Sequence, residues 1–341
     1  MISKVKNAVK NSLQFSTIPE LMLRRQALRS LTILGYHRIC PIPTDKYPFD
    51  QELISATPEE FEKELRYLKQ NLDLMTIEEF ECALSQKRKL PKRPALITFD
   101  DGYADNYNIA FPILKSLQLS ACFFISTRIV GTNLLPWWDV VACCFKRSKV
   151  AYFNSPFGDS DLPYKCDCLA HKASSHRFLA QMKASDWPQA LRFLEILKAE
   201  TGVDPSEYVE FAPFITWDQA REMASGGMEL GGHTRSHPVL GRVNDRGVLK
   251  DEIGGCYEDM GRELGKNPLA FSYPEGYEFA MSVAADTAIA KAGFKLSFSY
   301  LHHFAPKNPN NLFRLPRIHS EYRHNFEAFR WGMATAPGHK T

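Results

Sequence analysis

The sequence predicts an α/β protein in which short apolar strands alternate with capped, amphipathic helices. Three observations carry this. Strand-forming runs recur at 31–36, 95–99, 121–125, 228–232, 294–298 and 314–319. Between several of them stand Ser/Thr-x-x-Glu/Gln helix starts, followed by apolar residues at helical spacing. Two runs lead into polar clusters, Thr98-Phe99-Asp100-Asp101-Gly102-Tyr103 and His233-Thr234-Arg235-Ser236-His237. Active sites of α/β proteins gather at such carboxyl ends of strands.

In chain order, the strand at 31–36 ends at His37. Thr57-Pro58-Glu59-Glu60 then supplies an N-cap, a first-turn proline and a capping-box glutamate, and Phe61, Leu65, Leu68 and Leu72 make one helical face. Thr76-Ile77-Glu78-Glu79 repeats the box, and Pro91 to Pro94 ends that connection before strand 95–99. A helix after Tyr103, with Tyr107, Phe111 and Leu114 inward, leads to strand 121–125. About 100 residues follow before the histidine strand, far more than a simple crossover needs, so 133–213 reads as a mostly helical insertion over the site. Thr216-Trp217-Asp218-Gln219 caps a helix stopping at Gly226-Gly227, and Leu249, Ile253, Cys256, Met260 and Leu264 line the next, closed by Gly265. Asn267-Pro268 leads to a strand reaching Tyr273, and Ser282 opens a helix ending at Gly293. Strands 294–298 and 314–319 follow, then a C-terminal helix and frayed tail over 321–341.

The two clusters suit hydrolysis. Adjacent carboxylates repel unless a positive charge sits between them, and a divalent cation is the simplest one. Asp101 would ligate it while Asp100 stays free to take a proton from water beside it. Two imidazoles four residues apart, His233 and His237, converge in a helical turn or a tight loop and suit zinc or a similar metal. Alone, each cluster also reads as an ordinary polar turn; their shared placement at strand ends favours chemistry.

These residues carry a resemblance. Thr98 to Tyr103 and His233 to His237 are similar to the first two motifs of the polysaccharide deacetylases, the NodB-homology or carbohydrate esterase family 4 domain. Phe271-Ser272-Tyr273-Pro274-Glu275-Gly276 resembles the Tyr-Pro-x-Gly form of the third, and the likeness covers about 31–320. The resemblance implies a distorted (β/α)7-type barrel with a mostly helical insertion, removing an N-acyl group, chiefly acetyl, from an amino sugar of a glycan. It implies one divalent metal, zinc first, with cobalt, nickel or manganese as alternatives. Carried over, Asp100 is the general base, Asp101, His233 and His237 the ligands, and the Tyr273 backbone N–H an oxyanion donor. A sugar deformylase and a silent carbohydrate-binding protein are the rival readings.

Two departures stand out. The stretch Leu269-Ala270-Phe271-Ser272 lacks the arginine that orients the base in many members, and Arg317, on a last strand closing the barrel, is the candidate replacement. His319 stands where the family's Leu-x-x-His acid is sought, although Leu315 is four residues before it. His37 also ends a strand and could face the site, but a buried structural role is preferred for it. Trp137, Trp138 and Asp139 open the insertion and are expected to stack on and hydrogen-bond a sugar, one indole buried and one available. Tyr103 and Pro274, inside the first and third motifs, join them as substrate-binding candidates.

At 341 residues, 44% hydrophobic and +3 in formal charge, the chain has no arginine-rich stripe for nucleic acid. Its eight cysteines form no Cys-x-x-Cys pair and read as reduced cytosolic thiols; a site built on Cys166 and Cys168 would need ligands such as His171 and His176. No secretory signal is expected, since residues 1–30 lack a continuous apolar core. That segment carries Lys4, Lys6, Lys10, Arg24, Arg25 and Arg29 against Glu20, a local charge of +5. Ile2, Val5, Val9 and Leu13 recur at near-helical spacing, which suits a basic amphipathic helix on the anionic inner face of a membrane. A helix capping the barrel's end is the competing reading and the slightly preferred one.

Overall fold

Strands that are apolar on both faces must be covered on both, and β1 (Ser30–Tyr36) is buried at every position. The computed structural model describes residues 17–44, 46–158, 162–321 and 325–338. In it β1, β2 (Pro94–Phe99), β3 (Cys122–Ile125), β4 (Glu229–Gly232), β5 (Ala270–Ser272) and β6 (Leu296–Phe298) pair in that order, all in parallel. Then β7 (Ile318–His319) returns beside β1, with Gly35 opposite His319. Beyond β6 the ring is closed by the chain just before β7: Phe298 bridges Leu315, the Leu315 N–H donates to the Ser297 carbonyl and the Ser299 N–H to the Leu315 carbonyl, both at 2.8 Å. The expected distorted seven-stranded barrel is therefore present.

Alternation sorts the side chains. Leu31, Ile33, Leu96, Cys122, Phe124, Leu296, Phe298 and Leu315 form one buried cluster inside the barrel. Leu34, Tyr36, Ile97, Phe99, Phe123 and Ile125 face the surrounding helices in another. The inward positions nearest the carboxyl end are polar instead: Thr98, Ser272 and Arg317 are all fully buried.

Helices form where their caps stand. After α1 (Ile18–Ala27), the Thr57 hydroxyl accepts from the Glu60 N–H at the start of α2 (Pro58–Asn71). A complete capping box opens α3 (Ile77–Ser85). The helix expected after Tyr103 starts at Ala104, passes through a π turn at Asn106–Ala110 and continues as α4 (Phe111–Ser116). The insertion comprises α5 (Trp137–Arg147), a small hairpin, α6 (His171–Ala184) and α7 (Trp187–Thr201), around a core that includes Phe145, Phe153, Tyr164, Phe178 and Leu197. A second capping box opens α8 (Trp217–Ser225); α9 (Gly255–Leu264) and α10 (Val283–Ala292) end on left-handed Gly265 and Gly293.

Residues 1–16, with Ile2, Val5, Val9 and Leu13, lie outside the described residues. α1 buries Leu23 and Ala27 and is tied by Arg330 of α11 (Phe326–Thr335) to Glu20 at 2.7 Å. Its other face turns Ile18, Leu21 and Met22 outward with Arg25, and Leu28 and Arg29 follow just beyond the helix. No helix among the described residues is long and apolar enough to cross a membrane.

Candidate active site

The end of β2 sets two carboxylates to different tasks. The Asp100 N–H still donates to the Tyr36 carbonyl, and the chain then turns sharply at Asp101 (φ 76°) and Gly102 (φ 89°). A side chain at Gly102 would be strained by that φ and pressed to 3.0 Å from Ile125 Cγ2. The turn aims Asp101 away from Asp100, and each is only 3% exposed.

After β4 the His233–His237 loop is held from inside. Thr234 and His237 adopt φ 64° and 61°, and the Thr234 hydroxyl accepts from the His237 N–H at 2.9 Å. The Glu252 carboxylate accepts from the N–H groups of Arg235 and Ser236. Both imidazoles are thereby delivered to Asp101, with His233 Nε2 and His237 Nε2 each 3.5 Å from Asp101 Oδ1. Tetrahedral ligands at about 2.0–2.1 Å from an ion stand about 3.3 Å apart, so the spacing suits a shared cation. His233 Nδ1 donates to the Ser272 carbonyl at 2.7 Å, which leaves Nε2 as the free lone pair. Burial, followed by the neighbouring His233, pushes His237 down to about 3, so it stays neutral as a ligand must. Its Nδ1 has no hydrogen-bond partner among the described residues, and its ring packs on Trp138, centroids 4.2 Å apart. The donor set fits one divalent cation.

Asp100 belongs to Arg317. The guanidinium donates from Nη1 to Oδ1 at 2.7 Å and from Nη2 to Oδ2 at 2.6 Å. Its other donors reach the Ser299 carbonyl, the Thr98 hydroxyl and the Ser272 hydroxyl, so all five N–H groups are used. Burial alone would raise the Asp100 pKa, yet the Arg317 charge and hydrogen bonds hold it well below the usual carboxylate range. The arginine absent from the third motif is thus supplied by the last strand.

His37, for which a structural role was expected, faces the cavity instead. Its Nδ1 is 2.8 Å from Glu321, which also accepts from the Tyr300 hydroxyl at 3.0 Å. Burial works to lower its pKa, but the Glu321 carboxylate overcomes this and raises it to about 9. His319 does not fit the acid role: its Nε2 donates to the Tyr300 carbonyl at 2.8 Å, its ring stacks on Tyr300, and it is not among the residues lining the cavity. Burial pushes it down to about 4.

Of the expected substrate contacts, Trp138 alone reaches the cavity. Trp137 is buried and donates through Nε1 to the His237 carbonyl. Trp138 lines the cavity but is only 9% exposed, donating to the Tyr103 hydroxyl, which donates in turn to Asp139. Tyr103 and Asp139 are therefore an interior brace, and burial raises Asp139 to about 7. Pro274 is buried and off the cavity wall. The Tyr273 N–H is no free oxyanion donor, because it already donates to the Phe298 carbonyl at 3.0 Å.

The cavity is about 730 Å³ and opens between the barrel and the insertion. His176, Leu179 and Lys183 of α6 form one wall, and Lys183 pairs with Glu275 at 2.7 Å. Asp50, Glu52 and His176 approach one another at the rim, but Glu52 is already paired with Lys172 at 2.7 Å. Cys166 and Cys168 are free thiols that join no potential metal group among the described residues.

A parallel barrel whose strand ends gather two imidazoles and one carboxylate beside a second, separately paired carboxylate could hold a cation next to a proton acceptor. The chain belongs to the polysaccharide deacetylase family, whose profile matches residues 87–297. YxkH of Bacillus subtilis (strain 168) is 34% identical over 102 residues, 30% of this chain and 33% of that protein. The poly-beta-1,6-N-acetyl-D-glucosamine N-deacetylase of Staphylococcus epidermidis is 35% identical over 80 residues, 23% of this chain and 27% of that one. The chain thus spans a third or less of the length of these curated relatives. Among solved structures, IcaB from Ammonifex degensii shares the fold, with a TM-score of 0.57 at 20% identity over 89% of this chain and 97% of that one.

Proposed function

We propose that this chain is a metal-dependent hydrolase that removes an N-acyl group, acetyl first, from an amino sugar within a glycan. The observation that carries the reading is the separation of neighbouring carboxylates, Asp101 facing two imidazoles and Asp100 locked to Arg317. A binding protein has no use for an ionised carboxylate held beside a cation site. The name of the Staphylococcus epidermidis relative supports β-linked N-acetylglucosamine chains as the first substrate to try.

A divalent cation held by Asp101, His233 and His237, zinc by the donor set, would polarise the acyl oxygen and acidify water at the site. Asp100, kept ionised by Arg317, takes the proton of the attacking water. The His37 imidazolium, held by Glu321, protonates the leaving nitrogen as the amide C–N bond breaks. Glu275, in a left-handed bend (φ 61°) on the cavity wall, has an N–H without an acceptor among the described residues, and we assign it to the oxyanion. The full chain should release acetate from N-acetylglucosamine oligomers, lose about 10²-fold or more of that rate on chelation, and regain it with zinc. No release from any N-acylated glycan would end the proposal, and release indifferent to chelation would end its metal step.

For location, we infer that α1 rests on an anionic lipid surface. The outward Ile18, Leu21 and Met22, flanked by Arg25 and Arg29, support this, as do Lys4, Lys6 and Lys10 earlier in the sequence. The chain should pellet with phosphatidylglycerol vesicles and not with phosphatidylcholine. Leu21→Glu with Met22→Glu should weaken pelleting by about tenfold. Equal pelleting of parent and variant refutes this placement.

A further inference from the structure

Tyr277 and Phe279 are each 41% exposed on the cavity wall, with ring planes 16° apart and centroids separated by 6.0 Å. Their loop does not need them for its own packing. The turn Glu278–Ala280 is anchored by buried Ala280 and Met281. Its backbone also lies so close to the neighbouring turn that a Cβ on Gly241 would stand 2.1 Å from the Phe279 carbonyl oxygen. Adjoining aromatic rings held in water by a fixed backbone mark a contact surface.

The rings are oriented from the catalytic side. Tyr277 stands edge-on to Tyr300 and His319, at 88° and 86°, and those two stack with centroids 3.9 Å apart. Tyr300 in turn meets the His37 ring at 5.3 Å. An unbroken run of rings therefore leads from His37 to Phe279. Tyr277 is two ring contacts from His37, with centroid steps of 5.3 and 6.3 Å, so the pair borders the same end of the cavity as the His37 ring. Arg242 lines the same cavity, and its guanidinium makes no ion pair among the described residues, so its donors are available to sugar hydroxyls.

We propose that Tyr277 and Phe279 form a stacking subsite for the pyranose next to the one deacylated, so that the enzyme selects sugar chains over single sugars. This rests on the function proposed above. The C–H face of a pyranose is apolar and flat enough to cover an aromatic ring, while its hydroxyl edge needs donors such as Arg242.

The test separates binding from turnover. Calorimetry on the zinc-loaded Asp100→Asn chain would use N-acetylglucosamine and its β-1,4- and β-1,6-linked oligomers up to the pentamer. Affinity should rise from monomer to short oligomer in at least one series. Tyr277→Ala with Phe279→Ala should remove that rise, a loss of about 10–100-fold on the longer ligands. Tyr277→Phe, which keeps the ring, should retain it, and a melting temperature matching the parent would show the turn intact. In the active chain the double substitution should raise KM more than it lowers kcat. Length-dependent binding that survives both alanines overturns the subsite, and so does failure of every oligomer to bind. Oligomers that bind through these rings yet release no acetate from the active chain leave the subsite standing and overturn the deacylation.

Discussion

Asp100→Asn is expected to lower kcat by about 10²–10⁴-fold while the chain still binds one equivalent of divalent metal. The amide cannot take a proton from water, but Asp101, His233 and His237 keep their mutual spacing. The fold should also weaken, because Arg317 is fully buried and directs two of its five donors to that carboxylate. Removing one charge of such a buried pair costs about 3 kcal/mol, read as a lower Tm. The carboxyl is held below its free value of 3.8, so the pair's contribution is complete above that value and is lost as pH falls beneath it. Arg317→Lys, which loses the bidentate grip, should move the acid limb of kcat/KM to higher pH. Wild-type turnover by metal-loaded Asp100→Asn would remove Asp100 from the mechanism.

His37→Gln is expected to cost a comparable factor in kcat, about 10²–10⁴-fold, whereas His319→Ala should cost far less. The assignment rests on position: the His37 ring faces the cavity beside Glu321, while the His319 Nε2 is tied to the Tyr300 carbonyl. Glu321 raises His37 to about 9 against the effect of burial, so activity should decline as pH rises through that value and the acid loses its proton. Glu321→Gln should shift this alkaline limb toward neutrality. The stabilisation from the His37–Glu321 pair has the same sign, being complete below the free imidazole value of 6.5 and fading as pH passes about 9. If His319→Ala proved the more damaging change, the acid would have to be reassigned.

The parts of the site legible in the sequence are those encoded within a few residues or by the order of strands. The Asp-Asp-Gly turn and the His-x3-His loop carry their geometry in local backbone angles, at Asp101, Gly102, Thr234 and His237. Arg317 was legible because a last strand returning to the first places it inside the barrel. The His37–Glu321 pair was missed, although the parallel register of Gly35 with His319, carried two residues further, sets these two opposite each other. Lateral pairing is equally silent in the sequence, and it is what occupies the Tyr273 N–H. Which of the two tryptophans reaches the cavity was silent in the sequence, because a Trp-Trp-Asp helix start looks the same whether it meets open space or the Tyr103 hydroxyl. Tyr277 and Phe279 had no periodicity to announce them. Only the backbone that carries them reveals their exposure.

The irregular join between the sixth strand and the segment leading into the seventh gives Arg317 a double duty. From that join it grips the Ser299 carbonyl on one side and reaches across the lumen to Thr98, Asp100 and Ser272. It is at once the clasp of the ring and the counter-charge that keeps the proton acceptor ready. Any gaping of the wall there would disarm the chemistry before the scaffold came apart.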